Sequence, residues 1–243
     1  MKAVALVPIL SFALSAYGPG MLNIEIPTPY LEQGSLQFRI NHRFYGSALK
    51  DEPFENFFGM DNGANVGVDL GWFPIDGLEL RGGHIRSGRE YNIAGFWNAP
   101  IDRFQGMFSI GYSSVKPAAN QDREGGVTLL GSFSAPFSNG RIIPTVNYSF
   151  DGRTERHGPG FGLSVDVTEK TALIGEFFPV VSRDDENHSI LSEDAFALGV
   201  RHSTWGHQFV VCFSNSSGIG PRGQLHGAPD NDLSIGFNIK RLF

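Results

Sequence analysis

The chain has 243 residues, a net charge of −6 and no cluster of basic residues, which argues against a nucleic-acid-binding surface. Its single cysteine excludes an internal disulfide and a c-type haem attachment motif. The 31 glycines and 21 phenylalanines fit either a membrane β-barrel or a soluble all-β protein, so composition alone does not choose between them.

The amino terminus predicts export. Residues 1–16 read as a signal peptide, with Lys2 as the positive charge, an apolar stretch over residues 3–14 and small residues at the cleavage site. The apolar stretch is shorter than the about 20 residues that a transmembrane helix needs. We expect residues 17–34 to form an extended periplasmic leader, and residues 35–243 to form one domain.

Twelve segments after the leader alternate apolar and polar side chains, as strands with one lipid-facing surface do. In the clearest of them, alternate residues from Ala64 to Trp72 are apolar, and the residues between them are small or polar. The predicted strands are Leu36–Arg43, Ala64–Phe73, Leu78–Ile85, Glu90–Trp97, Phe104–Ser113, Val127–Ser134, Ile142–Phe150, Gly160–Val167, Ala172–Pro179, Asp194–His202, Gln208–Ser214 and Leu233–Phe243.

The last strand is the most informative. Leu233, Ile235, Phe237 and Ile239 share one face with the terminal Phe243, and the opposite face carries the small or polar residues Ser234, Gly236, Asn238 and Lys240. Such an ending is typical of bacterial outer-membrane barrels. It predicts recognition by the barrel-assembly machinery through this strand, and contact with outer-membrane lipid and lipopolysaccharide.

The connections between predicted strands tend to alternate between long and short. The odd-numbered ones are the longer, the third being the exception, and bacterial barrels combine short periplasmic turns with longer outer loops and an even strand count. The sequence therefore predicts an all-β fold, a closed antiparallel transmembrane β-barrel of about 12 strands in a Gram-negative outer membrane. A soluble two-sheet sandwich is the alternative.

Charged residues of both signs fall on the inward-facing positions of the predicted strands. They predict a polar lumen, either open or closed by ion pairs, and the inward glycines either widen a bore or permit close packing. The predicted lumen residues are Arg39, Arg43, Asp69, Glu79, Arg81, Asp166, Arg201 and Lys240.

Two predicted outer loops, residues 48–61 and 183–194, are acidic. They have no EF-hand spacing, and we predict neither a metal site nor a cofactor. His84 with Ser87 is the one nearby histidine–serine pair whose geometry is not excluded by strand alternation, and its spacing is poor for a nucleophile and base. The sequence therefore does not favour an enzyme.

Two segments carry a family resemblance. His42-Arg-Phe-Tyr-Gly46 and Phe58-Gly-Met-Asp-Asn-Gly-Ala-Asn65 resemble an uncharacterised outer-membrane β-barrel family of Bacteroidota-type bacteria, which has His-Arg-Phe-Gly and Gly-x-Asp-x-Gly-Ala-Asn segments. Tyr45 departs from the first segment. The likeness implies a signal peptide, a barrel and the outer membrane, but no activity. From the residues themselves we expect a packed network at the outer rim, formed by His42, Arg43, Asp61, Asn62 and Asn65.

The predicted function is a porin-like or channel-like barrel for small solutes. The alternatives are a non-conducting structural or adhesion barrel that acts through its acidic outer loops and, least favoured, a lipid-modifying enzyme.

Overall fold

The computed structural model describes residues 20–28, 31–50, 52–101, 103–116, 118, 120–181 and 193–243. The predicted signal peptide lies outside the described residues. Among the described residues, no helix is long and apolar enough to cross a membrane. The strands are β1 (Leu36–Phe44), β2 (Ala64–Ile75), β3 (Leu78–Ile85), β4 (Glu90–Ile101), β5 (Phe104–Val115), β6 (Glu124–Ser134), β7 (Ile142–Asp151), β8 (Arg156–Asp166), β9 (Thr171–Phe178), β10 (Ala195–Ser203), β11 (His207–Ser214) and β12 (Ser234–Leu242).

These strands form one closed antiparallel sheet in which each strand pairs with its neighbours in sequence. Closure is made by β1 and β12, where Ile40 lies opposite Ile239 and, on the other side, opposite Val68 of β2. A closed ring pairs every strand on both edges, which is what a membrane-spanning sheet requires. The predicted barrel is confirmed, and the two-sheet sandwich is excluded.

The outer surface carries a continuous set of large apolar side chains. Ile93 is 65% exposed and Leu198 is 60% exposed, values that would be unusual for so many large residues in a soluble protein. Facing lipid, the same side chains avoid water. Other members of this belt are Leu70, Trp72, Trp97, Phe108, Ile110, Tyr112, Val127, Tyr148, Leu173, Val200 and Val211.

The strand boundaries differ from prediction most clearly at β8. Residues 151–159 were predicted to form the connection before this strand, but Gly158 pairs with Ser149 and Pro159 with Tyr148 of β7. Pairing with a long neighbouring strand overrides the local turn preference, since only the missing N–H of Pro159 is lost from the ladder. The connection between β7 and β8 is therefore residues 152–155, much shorter than predicted.

Two long connections retain local structure. Residues 45–63 contain a 3₁₀ segment, Phe57–Asn62, and residues 215–233 contain a short helix, α1 (Gly220–Gln224). Another 3₁₀ turn, Ser87–Arg89, joins β3 to β4. The long connections lie at the end of the barrel that is opposite to the start of β1. We call that end the outer end, and the end where β1 begins and β12 stops the periplasmic end.

Candidate functional site

The segment that precedes β1 lies inside the barrel. The carbonyl oxygen of Gly20 accepts a hydrogen bond from Arg201 Nη1 at 3.0 Å, near the periplasmic end of β10. Asn23 Oδ1 accepts one from Arg43 Nη2 at 3.3 Å, near the outer end of β1. The Thr28 N–H then donates to Asn98 Oδ1 at 2.7 Å, again near the periplasmic end. Residues 20–28 therefore rise into the lumen and return, and we call them the plug segment.

This position corrects the prediction that the leader, residues 17–34, is an extended periplasmic segment. In a periplasmic leader the apolar side chains of the plug segment would be exposed to water, which is unfavourable. Met21, Leu22, Ile24 and Ile26 are each less than 9% exposed. Burial of such side chains contributes roughly 1.5–3 kcal/mol each, which favours the lumen over the periplasm.

One part of the lumen wall, on β9, β10 and β11, is apolar where it meets the plug segment. This differs from the polar lumen that the sequence predicted, because inward positions of these strands hold alanine, isoleucine, valine and phenylalanine. The buried free thiol of Cys212 lies in this cluster. The cluster consists of Met21, Leu22, Ile24, Ile26, Ile174, Phe178, Ala195, Ala197, Val210 and Cys212.

Inward glycines make room for this packing. A Cβ at Gly162 would lie 3.0 Å from the sulfur of Met21 and 3.1 Å from Cγ1 of Ile24. A Cβ at Gly199 would lie 3.4 Å from Cδ1 of Leu22. Of the two roles predicted for the inward glycines, these two residues serve close packing and do not widen a bore.

Glu176 anchors the turn of the plug segment. Its carboxylate accepts hydrogen bonds from the backbone N–H groups of Leu22 at 2.7 Å, Asn23 at 2.9 and 3.0 Å, and Ile24 at 3.0 Å. Glu176 is 4% exposed. Three consecutive donors satisfy a buried charge that would otherwise be costly.

Another part of the lumen wall, on β12, β1, β2 and β3, is charged, and Glu25 of the plug segment contacts it. Glu25 Oε1 lies 2.7 Å from Arg81 Nη1 and 3.2 Å from Arg39 Nη1. Arg81 is held in turn by Glu79, with Nε–Oε1 and Nη2–Oε2 distances of 2.7 and 2.8 Å, and its guanidinium lies 3.8 Å from the ring centroid of Phe96.

The register of β12, β1 and β2 sets three more charged groups side by side. Arg39 lies opposite Lys240 on one neighbouring strand and opposite Asp69 on the other. Asp69 accepts a hydrogen bond from Asn41 Nδ2 at 3.5 Å. The structure thus brings together Arg39, Asp69, Glu79, Arg81 and Lys240, all predicted as lumen residues.

The remaining predicted lumen residues point inward at other places. Arg201 Nη2 lies 2.6 Å from Asp166 Oδ1, close to the periplasmic end. Arg43 is fully buried and donates to Asn238 Oδ1 at 2.7 Å as well as to Asn23.

The predicted rim network does not form as one cluster. His42 points to the outer surface, where its ring stacks on Phe237 at 4.7 Å between centroids, because strand alternation sends it away from its neighbour Arg43. Asp61 and Asn62 are exposed. Asn65 does lie opposite Arg43 in the register, as expected, but its side chain contacts Ser217 O at 2.9 Å and the Ser87 N–H at 3.0 Å.

The outer end of the lumen is covered by residues 215–233. Arg222 of α1 reaches into the barrel and pairs with Asp151 at 3.0 Å and with Glu90. The Gly220 N–H donates to Asn23 Oδ1 at 3.3 Å, which joins this connection to the plug segment. We call residues 215–233 the outer cover.

His226 of the outer cover lies against basic residues. Arg156 Nη1 donates to its Nδ1 at 3.2 Å, so Nδ1 is the unprotonated nitrogen. Burial, then the charges of Arg156 and Arg222, lower the pKa of His226 from about 6.5 to about 4, although Asp151 opposes them. The imidazole is therefore neutral in the closed structure at neutral pH.

A cavity of about 170 Å³ remains between the plug segment, the outer cover and the charged wall. Glu25, Arg39, Arg81, Lys240 and Arg222 line it. Its size accommodates a few water molecules or a small solute fragment, not a continuous bore.

The suggested nucleophile pair is not assembled. His84 packs on Tyr91 with ring centroids 4.8 Å apart, and Ser87 lies in a turn where its N–H meets Asn65. The part of the chain that the structure describes has no group of three or more histidine, cysteine, aspartate or glutamate residues arranged to hold a metal ion.

Sequence reasoning missed several residues of this site. Glu25 was missed because the leader was expected outside the barrel, and Arg222 because it lies in a loop. Glu176 was predicted only as part of the strand Ala172–Pro179. A charged residue at an inward position between Ile174 and Phe178 was in fact the signal, since such a carboxylate needs donors from another segment.

Comparison with known proteins agrees with a membrane barrel. Residues 132–243 match the family model "Membrane bound beta barrel domain (DUF5777)". The two segments that carry the family resemblance, within residues 42–65, lie outside this match. No curated protein matches the chain.

Solved barrels resemble the fold at low sequence identity. The chain is 7% identical to the KdgM porin with a TM-score of 0.54, over 86% of this chain and 99% of that one. A triple mutant of the Rhodopseudomonas blastica porin is 11% identical with a TM-score of 0.39, over 74% of this chain and 55% of that one. Outer membrane phospholipase A from Escherichia coli is 11% identical with a TM-score of 0.45, over 88% and 94%.

The closed sheet, the lipid-facing belt and the matched family model together define a porin-like β-barrel of the outer membrane. The predicted localisation is confirmed.

Proposed function

We propose that this protein is a channel for small hydrophilic solutes, and that the plug segment closes it in the state described here. The observation that carries the proposal is that the closing element is not part of the wall. Residues 20–28 are held by side-chain and apolar contacts, without pairing in the sheet, so they can leave while the barrel stays intact.

After release of the plug segment, one side of the lumen wall would be suited to contact with water and polar solutes. Arg39, Asp69, Glu79, Arg81 and Lys240 form a charged strip along β12, β1, β2 and β3. A bore lined by charges of both signs can replace part of the hydration shell of a polar solute.

Conductance of the full chain in planar lipid bilayers tests the proposal. Wild-type protein should show rare openings, because both anchors of the plug segment are satisfied. The double substitution Glu25→Gln/Glu176→Gln should raise the open fraction at least tenfold. The matched control, Glu155→Gln/Glu169→Gln, changes two exposed loop glutamates and should behave as wild type. Silence of the anchor variant, once its barrel is verified by circular dichroism, would contradict a channel.

A non-conducting barrel that acts through its outer loops is the second candidate, and the closed lumen favours it. The acidic segment 48–61 is tied to the outer cover by an ion pair between Lys50 and Asp232 and by the Ala48 N–H, 2.6 Å from Leu233 O. Most of the other acidic loop, 183–194, lies outside the described residues. Neutralising residues 51, 52, 55 and 61 should then reduce lipopolysaccharide binding in a silent barrel.

We further propose that the chain is not an enzyme, since His84 and Ser87 point to different surroundings. Wild-type lipid hydrolysis that is lost in Ser87→Ala would overturn this. The predicted recognition of the Phe243 strand by the assembly machinery stays a prediction.

A further inference from the structure

We infer that Arg39, Arg81 and Lys240 form a carboxylate-binding site of the lumen, and that Glu25 occupies it in the closed state as an internal ligand. This inference rests on the proposed function. It adds the class of solute that the lumen binds, namely small carboxylates.

The geometry at Glu25 is that of a bound anion. Two guanidinium groups from different strands converge on one carboxylate, with Arg81 Nη1 2.7 Å from Oε1 and Arg39 Nη1 3.2 and 3.3 Å from Oε1 and Oε2. Lys240 lies opposite Arg39 and close enough to interact electrostatically with Glu25. Charge-assisted contacts of this kind are the strongest that proteins offer to a carboxylate.

The site belongs to the wall and is prepared without Glu25. Glu79 engages Nε and Nη2 of Arg81 and leaves Nη1 for the lumen, while the ring of Phe96 supports the guanidinium plane. Gly71 gives Glu79 its space, because a Cβ there would overlap the Glu79 carboxylate. Departure of the plug segment would therefore leave the arginine in place and still aimed at the lumen.

The charge balance of the wall requires an anion there. With Glu25 present, Arg39, Arg81 and Lys240 face as many carboxylates, namely those of Glu25, Asp69 and Glu79. Without Glu25 one positive charge is uncompensated inside a narrow lumen, where it is costly. Lys240 also lines the cavity.

The shape of the site favours a carboxylate over a spherical anion. Arg39 Nη1 contacts both oxygens of Glu25 and Arg81 Nη1 contacts one of them, an arrangement that suits two oxygens on one carbon. The cavity of about 170 Å³ beside Glu25 has room for a small organic acid. Such an acid would compete with Glu25 and so favour release of the plug segment.

Acetate binding to the full-length Glu25→Ala variant tests the site, because acetate replaces the carboxylate fragment that the substitution removes. Calorimetric titration at constant ionic strength, with chloride as the balancing anion, should show saturable acetate binding. Affinity should be at least tenfold weaker in wild-type protein, where Glu25 competes. Acetamide, of the same shape but neutral, should bind at least tenfold more weakly than acetate.

Substitution of the wall residues Arg39 and Lys240 gives a second comparison of acetate affinity. Glu25→Ala/Arg39→Gln and Glu25→Ala/Lys240→Gln should each lose at least tenfold in acetate affinity, with the barrel verified by circular dichroism. Equal binding of acetate and acetamide, or undiminished binding in both double variants, would overturn the site. The absence of conductance in bilayers would contradict the proposed channel but would not affect the calorimetric measurement of acetate binding. The channel and the carboxylate-binding site can therefore be refuted independently.

Discussion

The backbone N–H of Asn23 lies between the two carboxylate oxygens of Glu176, 3.0 Å from one and 2.9 Å from the other. Asn23 lies at the turn of the plug segment, where the segment comes nearest to the outer end of the barrel. Glu176 lies on the apolar part of the lumen wall. Because Glu176 is buried, its carboxylate would be left unsatisfied if these donors were lost. The contact therefore sets both the position of the turn and much of the free energy that holds it.

Replacing Glu176 with glutamine should loosen the plug segment. The amide retains one acceptor oxygen but loses the charge and the second acceptor, and hydrogen bonds to charged groups contribute about 1.5–3 kcal/mol each. Amide hydrogen exchange of residues 20–28 should accelerate about ten- to 100-fold, while the strands keep their protection. Glu169→Gln, in the exposed β8–β9 turn, is the control. Unchanged exchange in Glu176→Gln would mean that apolar packing alone fixes the segment.

Adding a side chain at Gly162, which pairs with Glu176 in the β8–β9 register, should displace the plug segment by overpacking. Its Cβ position is 3.0 Å from the Met21 sulfur, so the branched side chain of Gly162→Val cannot fit without movement. Overpacking typically costs about 1–3 kcal/mol, which predicts roughly five- to 100-fold faster exchange of residues 20–28. Gly131→Val is the matched control, because nothing lies within 4 Å of a Cβ there. Similar exchange in the two variants would argue against this packing.

The lipid-facing belt predicts a depth-dependent cost for charge. Ile110, in the middle of β5, is 56% exposed, and Val167, in the β8–β9 turn, is 60% exposed. Ile110→Arg should destabilise the barrel in a bilayer by about 2–4 kcal/mol, and Val167→Arg by about 1 kcal/mol or less. Urea unfolding in lipid vesicles measures both. Equal costs at these equally exposed positions would contradict the membrane placement.

The sequence specified the barrel well because strand alternation is a local property. Each lipid-facing strand repeats its pattern with period two, so β3, for example, was predicted with the bounds that the structure gives, Leu78–Ile85. The β8 boundary was wrong because partner strands, not local residues, decided whether Gly158 and Pro159 pair. The inward direction of Arg39, Arg81 and Lys240 followed from the same alternation.

The contents of the lumen could not be read in the same way. Whether Glu25 meets Arg81 depends on the path of a segment without periodic structure, and whether Arg222 meets Asp151 depends on the folding of a loop. Both contacts join residues far apart in sequence by charge and burial alone. Glu176 was the one indication in the sequence: a charged residue at an inward position between apolar residues needs hydrogen-bond donors from another segment inside the barrel.

The outer cover should loosen as the pH falls. In the closed structure His226 has a pKa of about 4, because it is buried and faces Arg156, Arg222 and Arg153, whose effect Asp151 opposes. In a released cover its pKa returns to about 6.5. Protonation therefore favours release, so the stability of the closed cover is complete above pH 6.5 and decreases as the pH falls from 6.5 towards 4.

Hydrogen exchange of residues 220–228, expressed as protection relative to the free peptide at each pH, measures this effect. Protection should fall at least tenfold between pH 7 and pH 5 in wild-type protein. His226→Gln removes the titrating ring and should keep its protection over that range. The carboxylates of Glu90 and Asp151, which pair with Arg222, remain in the variant, so a decrease of the same size there would assign the pH response to them and not to His226.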